Sequence, residues 1–363
     1  MSLTRRRFIT ITAGCLLTAG TAGAANMGAR WQGVALGAHA DLRLVGLPAQ
    51  EAESLIVLAR AEIERLEQLF SLYRDDSALV RLNATGMLDG PSADLLELCS
   101  HVSSIHAVSD GLFDPTIQPL WSAYARGDGV VDKSALKAAR AVVGWDKVEV
   151  SAGRIRLRPG AALTFNGIAQ GFITDKVVAL LKSQGLEAGL VSVGEIAAVG
   201  ASPSGDGWEV GLAEHEDDAA RTSIRLRDQA VATSSPRGTL IGEGQSGHIL
   251  NPRTGEPAAS NWSRVSVVHR LAAVADGLST AAVLMSEEEV RRLAGGISGA
   301  AFTVATPSGA NSQFNPGAVL GSVGANPVIG TASCGPTGAA LEVMPIGKGD
   351  ETALAIYPAD QST

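Results

Sequence analysis

Leu163-Thr164-Phe165-Asn166-Gly167-Ile168-Ala169-Gln170-Gly171-Phe172-Ile173-Thr174-Asp175 reads as a strand, a glycine turn and a helix that continues through Leu181 and ends at Gly185. Gly167 and Gly171 allow a ligand to approach the backbone closely, and a helix start favours an anion. The spacing fits neither a P-loop nor a dinucleotide fingerprint, and no Gly-Lys-Ser/Thr follows. Downstream, residues 189–193 form a strand pattern ending at Gly194-Glu195, and Trp208–Leu212 forms another. The acidic run 214–218 is a solvated face. Residues 230–235 are a strand running into small hydroxyl residues, and 265–268 and 302–305 are further strands.

Two more stretches carry chemistry. Gly247-His248-Ile249-Leu250-Asn251-Pro252-Arg253-Thr254-Gly255-Glu256-Pro257 is a turn, stiffened by Pro252 and released at Gly255, that carries a histidine and an arginine. Ala275-Asp276-Gly277-Leu278-Ser279-Thr280 follows. If residues 272–286 are helical, Asp276 and Thr280 share a face with their Cβ atoms about 5–6 Å apart, close enough to hold one hard cation. The alternative is a capped loop ahead of an ordinary core helix. Arg253 either contacts phosphate or pairs with an acid such as Glu256.

Toward the N-terminus, 40–45 is a short strand pattern, and Ala49–Phe70 is an amphipathic helix with Ala52, Leu55, Ile56, Ala59, Ile63, Leu66 and Phe70 on its apolar face. Asp75-Asp76-Ser77 caps a second short helix, and Ser92 caps a third on which Leu95, Cys99, Val102 and His106 share a face. Tyr73 is either a core residue with its hydroxyl satisfied or a ring stacked on a planar ligand. Leu112-Phe113-Asp114-Pro115-Thr116 makes a turn, and Val148, Val150, Ile155 and Leu157 alternate around a hairpin at Ser151-Ala152-Gly153.

The charged fraction is 18%, the hydrophobic fraction 45% and the net charge -8, as expected of a soluble globular protein. No basic cluster follows the N-terminus, which argues against nucleic acid or an anionic membrane as the main partner. Thr4-Arg5-Arg6-Arg7-Phe8-Ile9, a short apolar run and Ala22-Gly23-Ala24 read as a twin-arginine export signal over residues 1–24, cleaved near Ala24. The apolar run is too short for a stable membrane anchor. Thr12-Ala13-Gly14-Cys15 loosely resembles a lipobox, but the run continues through Leu16 and Leu17. The working compartment expected is the periplasm. Cys99 and Cys334 would remain after cleavage, too few for a disulfide framework. A single large domain over 25–310 is expected, followed by a Gly/Ala/Pro-rich extension over 311–363.

In order along the chain, Ser71-Leu72-Tyr73 leading to Asn83, Gly111-Leu112-Phe113-Asp114-Pro115-Thr116, Asn166-Gly167-Ile168-Ala169-Gln170-Gly171, Val231-Ala232-Thr233-Ser234, His248 to Gly255, and Ala275 to Thr280 resemble the ApbE family of FAD:protein FMN transferases. The resemblance implies an α+β, T-fold-like domain of mixed sheets with packed helices. It implies FAD as substrate, with the isoalloxazine near Leu36, Tyr73, Leu112, Phe113 and Asp114, Ile249 beside it, and the pyrophosphate over the Gly167 turn between Thr164 and Gln170. It also implies Mg²⁺ held by Asp276, Thr280 and the Gly167 carbonyl, which are oxygen donors suited to a hard cation. His248 is the candidate base for a Thr or Ser hydroxyl of an acceptor protein, since imidazole titrates near neutral pH; the alternative is a histidine that binds phosphate or orients the turn.

Four positions depart from the usual family pattern. Gln170 stands where lysine is usual, Thr164 where an acid is usual, Glu195 where a second glycine is usual, and Leu36-Gly37-Ala38 replaces Met-Gly-Thr. Asn-Gly-Ile-Ala-Gln-Gly with a twin-arginine signal is similar to the NosX branch, which implies a NosR-like flavoprotein of nitrous oxide respiration as acceptor. A FAD-binding carrier and a FAD pyrophosphatase that uses water remain as alternative functions.

Overall fold

The computed structural model describes residues 15–17, 28–126, 132–213, 222–241, 246–315, 341–345 and 354–358. The paired arginines, the acidic run 214–218 and Cys334 lie outside the described residues. Among them an eight-stranded sheet runs in the order Asn311–Phe314, Ala301–Ala305, Arg264–His269, Ala230–Ser234, Ile196–Val199, Ala188–Val193, Ala38–Val45, Gly28–Ala35. Each neighbouring pair is antiparallel. The helices are α1 (Ala49–Phe70), α2 (Ala78–Thr85), α3 (Ala93–Val108), α4 (Gln118–Arg126), α5 (Lys133–Ala141), α6 (Ala169–Ser183), α7 (Ala272–Ala282) and α8 (Glu287–Gly296). This is an α+β architecture.

The period-2 alternation of the strands divides two cores. Leu42, Leu44, Val191, Val193, Ala232 and Val267 face the main core with α1, α6 and α7, while Leu190, Ile196, Val231 and Val268 face the opposite side. There they meet Val210, Leu212 and Leu226 of a smaller sheet built from Trp208–Leu212 and Thr222–Leu226. The backbone of Cys15–Leu17 pairs with the far edge of Trp208–Leu212.

Phe70, fully buried at the end of α1, fixes the helical layer to the glycine turn. Its ring meets Phe165 edge-on at 6.2 Å and Phe172 at 5.5 Å. The α1 boundaries match the periodicity of the sequence, and Ser77 and Ser92 cap α2 and α3, their hydroxyls accepting from Val80 and Leu95 N–H.

Two expectations need correction. Residues 163–165 pair with no strand among the described residues, because Asn83 satisfies their backbone instead. Its Oδ1 accepts from Leu163 N–H at 2.7 Å and its Nδ2 donates to the Leu163 carbonyl at 2.8 Å, while Thr164 N–H donates to the Pro115 carbonyl. The sheet also continues past residue 310, since Asn311–Phe314 pairs along Ala301–Ala305.

Gly171 allows α6 and α7 to touch. A Cβ there would stand 2.4 Å from the Ala272 carbonyl oxygen, so only glycine fits this crossing without movement. Asp175, a turn further along α6, accepts from the Ala272 and Ala273 N–H groups at 2.7 and 2.9 Å and caps α7. The start of α7, and with it Asp276, is thus set by α6.

Candidate active site

A cavity of about 970 Å³, mouth included, opens where the glycine turn, α7 and the histidine turn converge. Leu112, Phe113, Asp114, Thr164, Gly167, Gln170, His248, Ile249, Asp276 and Thr280 all line it. Leu36 and Tyr73 do not. Leu36 sits at φ 47° in the tight turn between Gly28–Ala35 and Ala38–Val45, its N–H bonded to Glu67 Oε1 at 2.7 Å. Tyr73 is 37% exposed and reaches the cavity only through a side-chain hydrogen bond with Asn166, which does line it.

The cavity has an apolar wall and a polar floor. Leu112, Phe113, Pro115, Trp121, Ile249 and Leu250 form the wall, a surface suited to a planar aromatic ligand. Asp114 contributes to it as scaffold: Oδ1 accepts from the Thr116 N–H and hydroxyl, and Oδ2 from Trp145 N–H at 3.0 Å. His106 is likewise occupied, with Nδ1–H donating to the Phe113 carbonyl at 2.9 Å.

Asp276 lies on the floor, 4% exposed. Its Oδ2 accepts from Gly171 N–H at 3.2 Å, so the amide at the start of α6 serves the protein's own carboxylate. Burial, offset in part by that hydrogen bond and reinforced by Asp175, pushes the Asp276 carboxyl up to about 8. Thr280, one turn along α7, crowds Gly167 so closely that a Cβ at Gly167 would stand 3.0 Å from the Thr280 hydroxyl oxygen. Ser234 lies within 3.4 Å of that hydroxyl and bonds Ser279 at 2.8 Å. Among the described residues no Lys or Arg lines the cavity, and no cluster of three or more His, Cys, Asp and Glu side chains forms a metal site. The oxygen donors that line the cavity instead include the buried carboxylates of Asp276 and Glu195 and the Thr280 hydroxyl, hard oxygens of the kind that suits Mg²⁺.

His248 also lines the cavity, partly buried. Its Nδ1 is 3.0 Å from the Thr239 carbonyl, an acceptor, so Nδ1 carries the proton and Nε2 keeps its lone pair. Burial pulls this imidazole down to about 4, which keeps it neutral at physiological pH. The turn that carries it is held by Asn251, whose Oδ1 accepts from Arg253 N–H at 2.8 Å, and by Gly255 at φ 79°. Arg253 does not line the cavity and pairs with Asp110 rather than Glu256: its guanidinium binds the Asp110 carbonyl at 2.7 Å and carboxylate at 2.5 Å, tying this turn to the end of α3.

Residues 27–302 match the ApbE family over most of the chain. The chain belongs to the ApbE family. Among its relatives, the FAD:protein FMN transferase of Salmonella typhimurium is 26% identical over 282 residues, covering 72% of this chain and 81% of that protein. The FAD:protein FMN transferase of Vibrio cholerae is 28% identical over 239 residues, covering 62% and 72%. The apo crystal structure of the Pseudomonas stutzeri flavinyl transferase ApbE superposes with a TM-score of 0.70 at 27% identity, covering 81% of this chain and 98% of that one. The chain is an enzyme of the ApbE family.

The sequence did not single out Glu195, Asn166, Thr233 or Ser234 as site residues, yet all four line the cavity. The available signal was position: Thr233 and Ser234 end a strand, and Asn166 and Glu195 sit in turns.

Proposed function

We propose that this chain transfers the FMN half of FAD to a Thr or Ser hydroxyl of a periplasmic acceptor protein, with Mg²⁺ bound and AMP released. The observation that carries this reading is one cavity lined both by a histidine whose Nε2 has no partner among the described residues and by the Asp276 carboxylate and Thr280 hydroxyl, with Gly167 packed against Thr280. Flavin transfer is the activity for which the relatives are named. The metal, the acceptor and the compartment are inferred from the site and the sequence.

The apolar wall holds the isoalloxazine and turns the diphosphate toward the floor. Asp276, the Thr280 hydroxyl and the Gly167 carbonyl would hold Mg²⁺, which when bound would supply positive charge to stabilise the phosphate oxygens. With no Lys or Arg among the described lining residues, the floor depends on that charge to accept an anion. Nε2 of His248 takes the proton of the acceptor hydroxyl as its oxygen bonds to the FMN-side phosphorus. The bond from that phosphorus to the bridging oxygen breaks, and AMP leaves with the oxygen. Nδ1–H stays on the Thr239 carbonyl and stabilises the imidazolium that forms.

The acceptor class follows the NosX-like motif and the paired arginines: a NosR-like periplasmic flavoprotein. Incubating the purified chain with FAD, MgCl₂ and such an acceptor domain should yield equal amounts of AMP and of acceptor heavier by one FMN. AMP without acceptor modification would favour a pyrophosphatase using water, and tight FAD binding with neither product a carrier.

A further inference from the structure

Glu195 occupies the two-residue turn between Ala188–Val193 and Ile196–Val199, at the end of the sheet where the cavity opens. It is 8% exposed and lines the cavity with Asp276, the neighbouring acid whose charge bears on it. Its carboxylate takes the Thr233 N–H, which uses one of about four acceptor positions. Gln170 lies beside this turn: a Cβ at Gly194 would be 2.6 Å from Gln170 Cδ. The Gln170 side chain is 4% exposed, faces the same cavity, and makes no hydrogen bond among the described residues. The Gln170 amide thus faces the cavity with its hydrogen-bonding capacity open to a ligand, and buried carboxylates are normally paired or bound to a metal. Here there are two carboxylates and an unpaired amide oxygen around one floor, and no Lys or Arg among the described lining residues.

We propose that Glu195, with the amide oxygen of Gln170, adds protein ligands to the cation site of Asp276 and Thr280, so that this chain binds its divalent cation before and without FAD. This rests on the reading of Asp276 and Thr280 as the Mg²⁺ site. One carboxylate, a hydroxyl and a carbonyl leave a hard cation dependent on phosphate oxygens to fill its six positions. A second carboxylate and an amide oxygen supply most of that shell from the protein, and the divalent cation balances both buried carboxylate charges. Glu195 and Gln170 then act as a unit.

The test is calorimetric titration of the FAD-free full chain with MnCl₂ alone, with electron paramagnetic resonance counting the bound Mn²⁺, on wild type, Glu195→Gln, Gln170→Leu and Asp276→Asn. Glu195→Gln is isosteric and keeps an acceptor for the Thr233 N–H, and melting curves check that each variant is folded. Wild type should bind Mn²⁺ without FAD, with affinity falling at least tenfold in Glu195→Gln and by a smaller factor in Gln170→Leu. Equal Mn²⁺ affinity in wild type and Glu195→Gln would overturn the inference. So would Mn²⁺ binding that appears only after FAD is added and still depends on Asp276, which would leave the Mg²⁺ site itself intact. Unchanged binding in Asp276→Asn, with or without FAD, would overturn both.

Discussion

Asp276 and His248 are shifted in opposite directions by burial, and each shift has a measurable sign. The Asp276 carboxyl rises from 3.8 to about 8, so between those values the folded protein retains a proton that the unfolded chain has lost. Unfolding free energy of metal-free wild type, relative to Asp276→Asn, should therefore fall as pH rises from about 4 toward about 8. Saturating Mg²⁺ should restore it most at the upper end, where the proton competes least; denaturant titrations at several pH values measure this. His248, drawn down to about 4, is neutral over all but the lowest part of that range, so replacing it by Asn should cut turnover there by about 10²–10⁴-fold while FAD affinity stays within a few-fold. Both residues were legible from type and neighbourhood: a histidine on a stiffened turn, and an acid one helical turn from a hydroxyl. Arg253 was not, because its partner Asp110 is distant in sequence and meets it only after α3 and the turn have docked. Glu195 was visible only as a departure from a motif. Its proximity to Asp276 depends on two strand connections folding to the same end of the sheet.

At the scale of elements, the site depends on how closely α6 and α7 approach. Gly171→Ala would force a Cβ into the Ala272 carbonyl and should cost about 1–3 kcal/mol of stability, a typical overpacking penalty. It should also weaken Mn²⁺ binding, because the Gly171 N–H that orients Asp276 would move. Gly295→Ala in α8, where a Cβ meets open space, should instead stabilise by about 0.5–1 kcal/mol, as expected for a helix interior. Chemical denaturation compares the two. Amphipathic elements were readable in advance, as α1 and Trp208–Leu212 show, since one buried face imposes its period on the sequence. Gly28–Ala35 and Asn311–Phe314 were not. They are the two edge strands of the main sheet, largely exposed or half-buried, and backbone pairing to a single neighbour leaves little hydrophobic pattern to read. Residues 163–165 failed for the converse reason: the pattern was extended and apolar, but Asn83 and the Pro115 carbonyl satisfied backbone groups of Leu163 and Thr164 that a strand would otherwise pair.

For the molecule as a whole, charge dictates the partner chemistry. The chain carries a net charge of -8, and its cavity presents Asp114, Glu195 and Asp276 without a Lys or Arg among the described lining residues, yet the substrate proposed for it is an anion. Chelation should therefore abolish transfer while FAD remains bound more weakly through the apolar wall, and added Mg²⁺ should restore both. The central claim is that His248 and the Asp276–Thr280 pair act on one diphosphate in one cavity. Intact-mass spectrometry of a NosR-like acceptor domain, incubated with FAD, MgCl₂ and either wild type, His248→Asn or Asp276→Asn, tests it directly. Wild type should add one FMN to a Thr or Ser of the acceptor and release one AMP, while both variants still bind FAD and leave the acceptor unmodified. Flavinylation by either variant at the wild-type rate would contradict the account.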